Sequence, residues 1–145
     1  MSVRIIIDST VDIDPKLKNR FTIVPLTVHF GDEEYLDGVT ITHKQFYEKL
    51  IESDVLPTTS QAPPVAFAEV FEEVAAAGDT AVVITVASRL SGTFQSAMIA
   101  AQDYEGTIFV NTTPGMTATS FIPQQVCAAG LDIKDVLADI IEMKL

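Results

Sequence analysis

The sequence contains one cysteine, Cys127, two histidines, and nine basic residues against twenty acidic ones. Each scarcity removes a class of protein. A single cysteine cannot build a disulfide framework or a thiolate metal cage, and its apolar setting, Val126-Cys127-Ala128-Ala129, reads as a small core residue. His29 and His43 are too few for a metal centre, so no metal or other cofactor is expected. The formal net charge is −11, with no Lys/Arg cluster to neutralise phosphates, which argues against nucleic acid and against an anionic membrane surface. No apolar run approaches the roughly 20 residues that span a bilayer, so membrane insertion is not expected. The opening Met1-Ser2-Val3-Arg4 runs directly into a strand and has no signal-like apolar stretch, which makes the cytoplasm the expected location. Gly-x-Ser-x-Gly, Gly-x-Gly-x-x-Gly and Walker sequences are all absent.

Within 145 residues there is room for one domain with a real core, and hydrophobic residues make up 48% of the chain. Val3 to Asp8 is a nearly unbroken β-branched run, suited to a strand covered on both faces. Phe21–Val24 and Leu26–Phe30, split by Pro25, predict strands at an edge or bulge, and Tyr35–Gly38 a return strand after a turn at Gly31–Glu34. Thr42 and Gln45 form a capping box for a helix carrying Phe46, Leu50 and Ile51 on one face. The proline-rich stretch Leu56 to Pro64 predicts a stiff loop. A second helix follows from Val65 to Ala77, with Val65, Ala68, Val70 or Phe71, and Val74 inward. Thr80–Val86 and Thr107–Val110 predict strands, Phe94–Gln102 a helix, Gln124–Ala129 a helical turn, and Asp132–Met143 a final helix. Strands alternating with helices imply an α/β fold. The expected form is a three-layer α/β/α sandwich on a mostly parallel sheet, with a short β-hairpin near residues 21–38, as a single domain over 1–145.

In such sheets ligands bind beyond the carboxyl ends of the strands. Asp8-Ser9-Thr10, Thr58-Thr59-Ser60-Gln61 and Ser88-Arg89-Leu90-Ser91-Gly92-Thr93 are expected to converge there. Their shared chemistry is hydroxyls and backbone amides, with Arg89 as the one cation. That set suits a carboxyl or phosphate held by neutral hydrogen bonds, although Ser and Thr also serve simply as caps and turn residues. His29, His43, and the acidic residues Asp12, Asp14, Asp32, Glu33 and Glu34 read as structural or solvated.

Taken in order, Ile6-Ile7-Asp8-Ser9-Thr10-Val11-Asp12-Ile13, Val24-Pro25-Leu26, Tyr35-Leu36-Asp37-Gly38, Thr58-Thr59-Ser60-Gln61-Ala62-Pro63 and Leu90-Ser91-Gly92-Thr93-Phe94-Gln95-Ser96-Ala97 resemble the DegV family of fatty-acid-binding proteins. The resemblance spans about residues 3 to 110. It implies a lipid carrier, not an enzyme: a long-chain fatty acid buried between two α/β domains, its carboxyl group presented to a fatty acid kinase that makes an acyl phosphate. By motif, Thr59, Ser60 and Ser91 would hold the carboxyl group, with Thr93 beside them. Gly92 would let the backbone approach, and Asp8 and Ser9 would line the same end of the sheet. Burying about 14 methylenes supplies on the order of 11 kcal/mol before ordering costs, so the hydroxyls need only orient the head group.

Two departures accompany the resemblance. Members are about twice this long, so this chain is expected to match the first domain, either excised or as a half-length relative, without the second lipid-binding one. An open half-slot is expected to self-associate or to be covered by a partner. Asn111-Thr112-Thr113-Pro114-Gly115 also replaces the usual continuation, before Ala129 to Val136 returns to the family pattern. A phosphotransfer or hydrolase-like enzyme using the same hydroxyl loops, with Ser91 or His29 reacting, is the alternative reading. A purely structural domain is the third.

Overall fold

Val3–Asp8 (β1) forms the centre of a four-stranded parallel sheet because its β-branched run satisfies neighbours on both sides. The computed structural model describes residues 2–112, which fall within one compact unit ending at Thr112. The sheet order is β2 (Phe21–Val24), β1, β6 (Thr80–Thr85) and β7 (Ile108–Thr112), all parallel. A second sheet is antiparallel, ordered β4 (Glu33–Leu36), β3 (Thr27–Phe30) and β5 (Thr58–Ser60). Two helices, α2 (Pro64–Ala76) and α3 (Thr93–Ala100), pack on the parallel sheet, while α1 (His43–Glu52) packs on the antiparallel one.

The main core is one sheet face meeting two helices. Ile6, Val24, Ala81, Val83 and Ile108 face Phe67, Phe71, Val74 and Ala97, all buried. On the opposite face Val3 and Phe109 stand exposed, although Ile7 is buried. The α/β fold with its parallel sheet is as expected. The helix expected at 132–143, the turn at 124–129 and Cys127 lie outside the described residues.

Several sequence expectations shift once the strands pair. The run 21–30 does not form one edge pair: Pro25 separates a strand of the parallel sheet from a strand of the antiparallel one. Lacking an N–H, Pro25 suits a corner where the chain changes sheets. The hairpin is therefore β3–β4 alone, with Phe30 opposite Glu33. Its two-residue turn begins at Gly31, whose φ of +62° is the left-handed value such a turn requires. Thr58–Ser60, expected as loop, is a strand because β3 offers its free edge.

Helix faces shift as well. The capping box is present: Thr42 Oγ1 accepts from the Gln45 amide at 3.3 Å, and Gln45 Oε1 accepts from the Thr42 amide at 2.9 Å. Phe46 and Leu50 pack against Val28, Phe30 and Ile41 as expected, but Ile51 points to solvent at 84% exposure. In α2 the inward stripe is Phe67, Phe71 and Val74, leaving Val65 exposed, since Pro64 starts the helix one residue early and Phe67 claims the sheet.

Two polar clamps close these layers. Asp79 accepts from the Ser2 amide at 2.7 Å and from Arg4 Nε at 3.0 Å, tying the start of β1 to that of β6. The Ser2 hydrogen bond, then the Arg4 one, hold the Asp79 carboxyl below its ordinary range. Lys49 of α1 bonds Glu33 of the hairpin, which lowers the Glu33 pKa and raises that of Lys49, while the ammonium lies 5.4 Å from the Tyr35 ring.

Candidate functional site

Beyond the carboxyl ends of β1 and β6 lies a cavity of about 350 Å³. That volume is at the low end for pockets that hold small molecules. Thr10, following β1, and Val86, following β6, form its floor. Thr59 of β5 and the adjoining Gln61 supply one wall, while Leu90, Ser91 and Gly92, leading into α3, supply another. Leu26 completes it. The lining contains hydroxyls, an amide and aliphatic groups, with no lysine or arginine; Arg89 is exposed beside it. Any acid held here is held by neutral donors.

Asp8 builds the floor rather than lining it. Its carboxylate is fully buried and accepts from the Thr10 amide at 3.0 Å, from the Thr10 hydroxyl, and from the Val86 amide at 2.6 Å. One side chain thereby locks the ends of both central strands. Ser9 turns away: its hydroxyl accepts from the Leu26 amide at 3.1 Å, and it lines a separate cavity of about 420 Å³ with Val11, Ile13 and Ile23. Its own amide donates to the Val24 carbonyl at 3.2 Å, so Ser9 holds the corner at Pro25.

The structure separates Thr59 from Ser60, because neighbouring residues of a strand point to opposite faces. Thr59 lines the cavity, whereas Ser60 Oγ lies 2.7 Å from His29 Nε2 on the outer face of the antiparallel sheet. His29 Nδ1 is 3.5 Å from Glu34, which is 71% exposed. A hydroxyl, an imidazole and a carboxylate thus stand in line. In the open, such an exposed pair contributes little, and the arrangement reads as cross-strand surface bonding. Thr93 is fully buried, its Oγ1 2.9 Å from Ser91 Oγ, and its amide donates to Ser91 Oγ at 3.3 Å. It orients Ser91 from behind.

Of the seven sequence candidates, Thr59, Ser91 and Gly92 meet at the cavity; Asp8 and Thr93 support it; Ser9 and Ser60 face elsewhere. Thr10 and Gln61 lie in the segments expected to converge, but the sequence assigned neither an individual role. The signal for Gln61 was its spacing of two from Thr59, which places both on one side of an extended segment. Among the described residues there is no cluster of three or more metal-ligating side chains, and no helix is long and apolar enough to cross a membrane.

The fold has counterparts among known proteins. A family model described as "Uncharacterised protein, DegV family" matches residues 2–143. A DegV domain-containing protein of Clostridium perfringens is 31% identical over 149 aligned residues, covering 98% of this chain and 53% of that protein. A solved fatty-acid-binding DegV family protein from Thermus thermophilus superposes with a TM-score of 0.71 at 30% identity, covering 98% of this chain and 53% of that one. A stearic-acid-binding protein from Eubacterium ventriosum superposes with a TM-score of 0.69 at 27% identity, over 94% of this chain and 51% of its own. The chain therefore spans about half the length of these relatives. A short stretch of 35 residues, 24% of the chain, is also 89% identical to D-alanine–D-alanine ligase of Bacteroides fragilis, of which it covers 11%. That local identity exceeds any of the DegV identities above, yet the long match and the fold belong together: the chain is a member of the DegV family.

Proposed function

We propose that this chain binds a long-chain fatty acid, holding its carboxyl group in the hydroxyl-lined cavity, and presents that group to a fatty acid kinase in the cytoplasm. The observation that carries the reading is the convergence of Thr59, Ser91 and Gly92, from segments over 30 residues apart, on one cavity at the carboxyl end of the sheet. Solved proteins of similar fold that are named for fatty-acid binding support it. The neutral lining supports carriage over chemistry, since a head group without a fixed cation stays reachable by a second protein. Affinity comes mainly from the buried acyl chain, at ~0.8 kcal/mol per methylene.

Native mass spectrometry of the purified chain is expected to show co-purified long-chain fatty acid. The Thr59→Ala/Ser91→Ala double variant is expected to retain markedly less of it, and to lose about 1–3 kcal/mol of stability, since Ser91→Ala removes the partner of the buried Thr93 hydroxyl and amide. A lipid-free unsubstituted chain would overturn the carrier reading. Acyl phosphate formation on adding a fatty acid kinase and ATP checks the presentation step.

The family model runs on to residue 143, but the compact unit that holds both sheets ends at Thr112 and Asn111 to Gly115 depart from the resemblance; in place of one domain over 1–145, a boundary near Thr112 is therefore proposed. The ligase-like stretch is then assigned to the C-terminal part of the chain, where the sequence leaves the resemblance's pattern. Eleven per cent of a ligase gives no ground for assigning ligase activity. Limited proteolysis of the full chain is expected to yield a protected fragment ending near residue 112. Protection extending evenly through 145 would contradict that boundary.

A further inference from the structure

We infer that Gln61 is the residue that sets head-group preference in this cavity, and that position 92 is glycine to make room for it. The inference rests on the carrier reading and adds a donor that reading does not contain. Gln61 lines the cavity beside Thr59, Ser91 and Gly92. Its Nε2 donates to Ser96 Oγ at 3.1 Å, and Ser96, on the first turns of α3, is 1% exposed.

Gly92 has a φ of −74° and a ψ of 0°, a conformation open to any residue, so backbone freedom does not explain the glycine. Space does. A Cβ at position 92 would lie 1.8 Å from Gln61 Oε1 and 2.7 Å from its Cδ. The carboxamide fills the volume where a side chain would begin. It ties the segment that follows Thr59 to the first turn of α3 through Ser96 and packs against Gly92, beside Ser91. A carboxamide offers two N–H donors, and Ser96 takes one. The other is a neutral donor for the carboxyl group, in a cavity that has no cation.

The charge of this side chain therefore decides whether a carboxylate is accepted. Gln61→Glu keeps the shape, and the Ser96 hydroxyl can donate to the new carboxylate, so the structural bridge survives while an anion now faces the ligand carboxylate. Titrating the purified chain with cis-parinaric acid, a fluorescent long-chain fatty acid, tests this. At pH 7.5, Gln61→Glu is expected to weaken binding by about tenfold or more relative to the unsubstituted chain. The ratio is expected to shrink toward pH 5, as the introduced carboxyl group begins to take up protons.

Gly92→Ala, which expels the carboxamide, is expected to weaken binding alone but to add nothing in a Gln61→Ala background, because both act through the same group. A role confined to packing would show no pH dependence in the Gln61→Glu ratio. Binding by Gln61→Glu within twofold of the unsubstituted chain at both pH values, with additive effects of Gly92→Ala and Gln61→Ala, would overturn the assignment while leaving the carrier reading intact. An unsubstituted chain that does not bind cis-parinaric acid would overturn both. Should Gln61→Glu fail to fold, the Gly92→Ala and Gln61→Ala cycle decides.

Discussion

Asp8→Ala is expected to destabilise the chain by ~3 kcal/mol and to abolish the cavity, even at temperatures where the protein stays folded. The argument is one of satisfied donors. The buried Asp8 carboxylate accepts three hydrogen bonds, two from backbone amides and one from the Thr10 hydroxyl. Alanine leaves all three donors without a partner. Each orphaned group in a partly buried setting costs about 1–3 kcal/mol, with water entering the vacated space offsetting some of it. Against a net charge of −11, removing one anion gives back only a small part.

Thr10 and Val86 both line the cavity, so the same substitution releases two sides of its floor. Asp8→Asn keeps one carbonyl acceptor and is expected to cost roughly half as much. Urea unfolding read by circular dichroism, with parinaric acid binding on the same samples, checks both effects. An Asp8→Ala variant within about 0.5 kcal/mol of the unsubstituted chain would show that these donors find other partners.

Phe71→Ala carries the largest expected loss of stability, about 3–5 kcal/mol, which lowers Tm by roughly 10 °C or more. Phe71 is completely buried. Its ring centroid lies 5.9 Å from that of Phe67 and 6.0 Å from that of Tyr104, the latter edge-on. It fills the space between α2 and the 3₁₀ turn that follows α3, so truncation leaves a cavity bounded by the strands and cannot collapse without moving a helix. Domain stabilities are typically 5–15 kcal/mol, so this one ring accounts for a large share. The site should survive in the fraction still folded, because none of the cavity-lining residues belongs to the core cluster that contains Phe71. Phe71→Leu, which refills much of the volume, is expected to recover more than half the loss. Thermal unfolding by calorimetry checks the series, and a Phe71→Ala transition within a few degrees of the unsubstituted chain would show that the core repacks around the gap.

How much of this was legible in the amino-acid order depends on the range of the interaction concerned. The β-branched runs at 3–8 and 80–85, the Thr42–Gln45 capping box and the Gly31 turn are all local. Each is decided by neighbours within about four residues, so each reads directly from the chain. The hydroxyl-bearing segments were legible for the same reason, as residues that follow strands or precede helices.

Tertiary structure alone decided which hydroxyls share the cavity. Thr59 and Ser60 are adjacent and chemically alike, and only the pairing of Thr58 with His29, across nearly thirty residues, sends one into the cavity and the other to the surface. Asp8 looked like a ligand residue because it ends a strand among hydroxyls; the proximity of Val86, 78 residues away, made it a buried support instead. Gln61 and Gly92 were each visible, but their relation was not. A missing Cβ has meaning only once another side chain occupies its place, and folding, rather than sequence spacing, brings the two together.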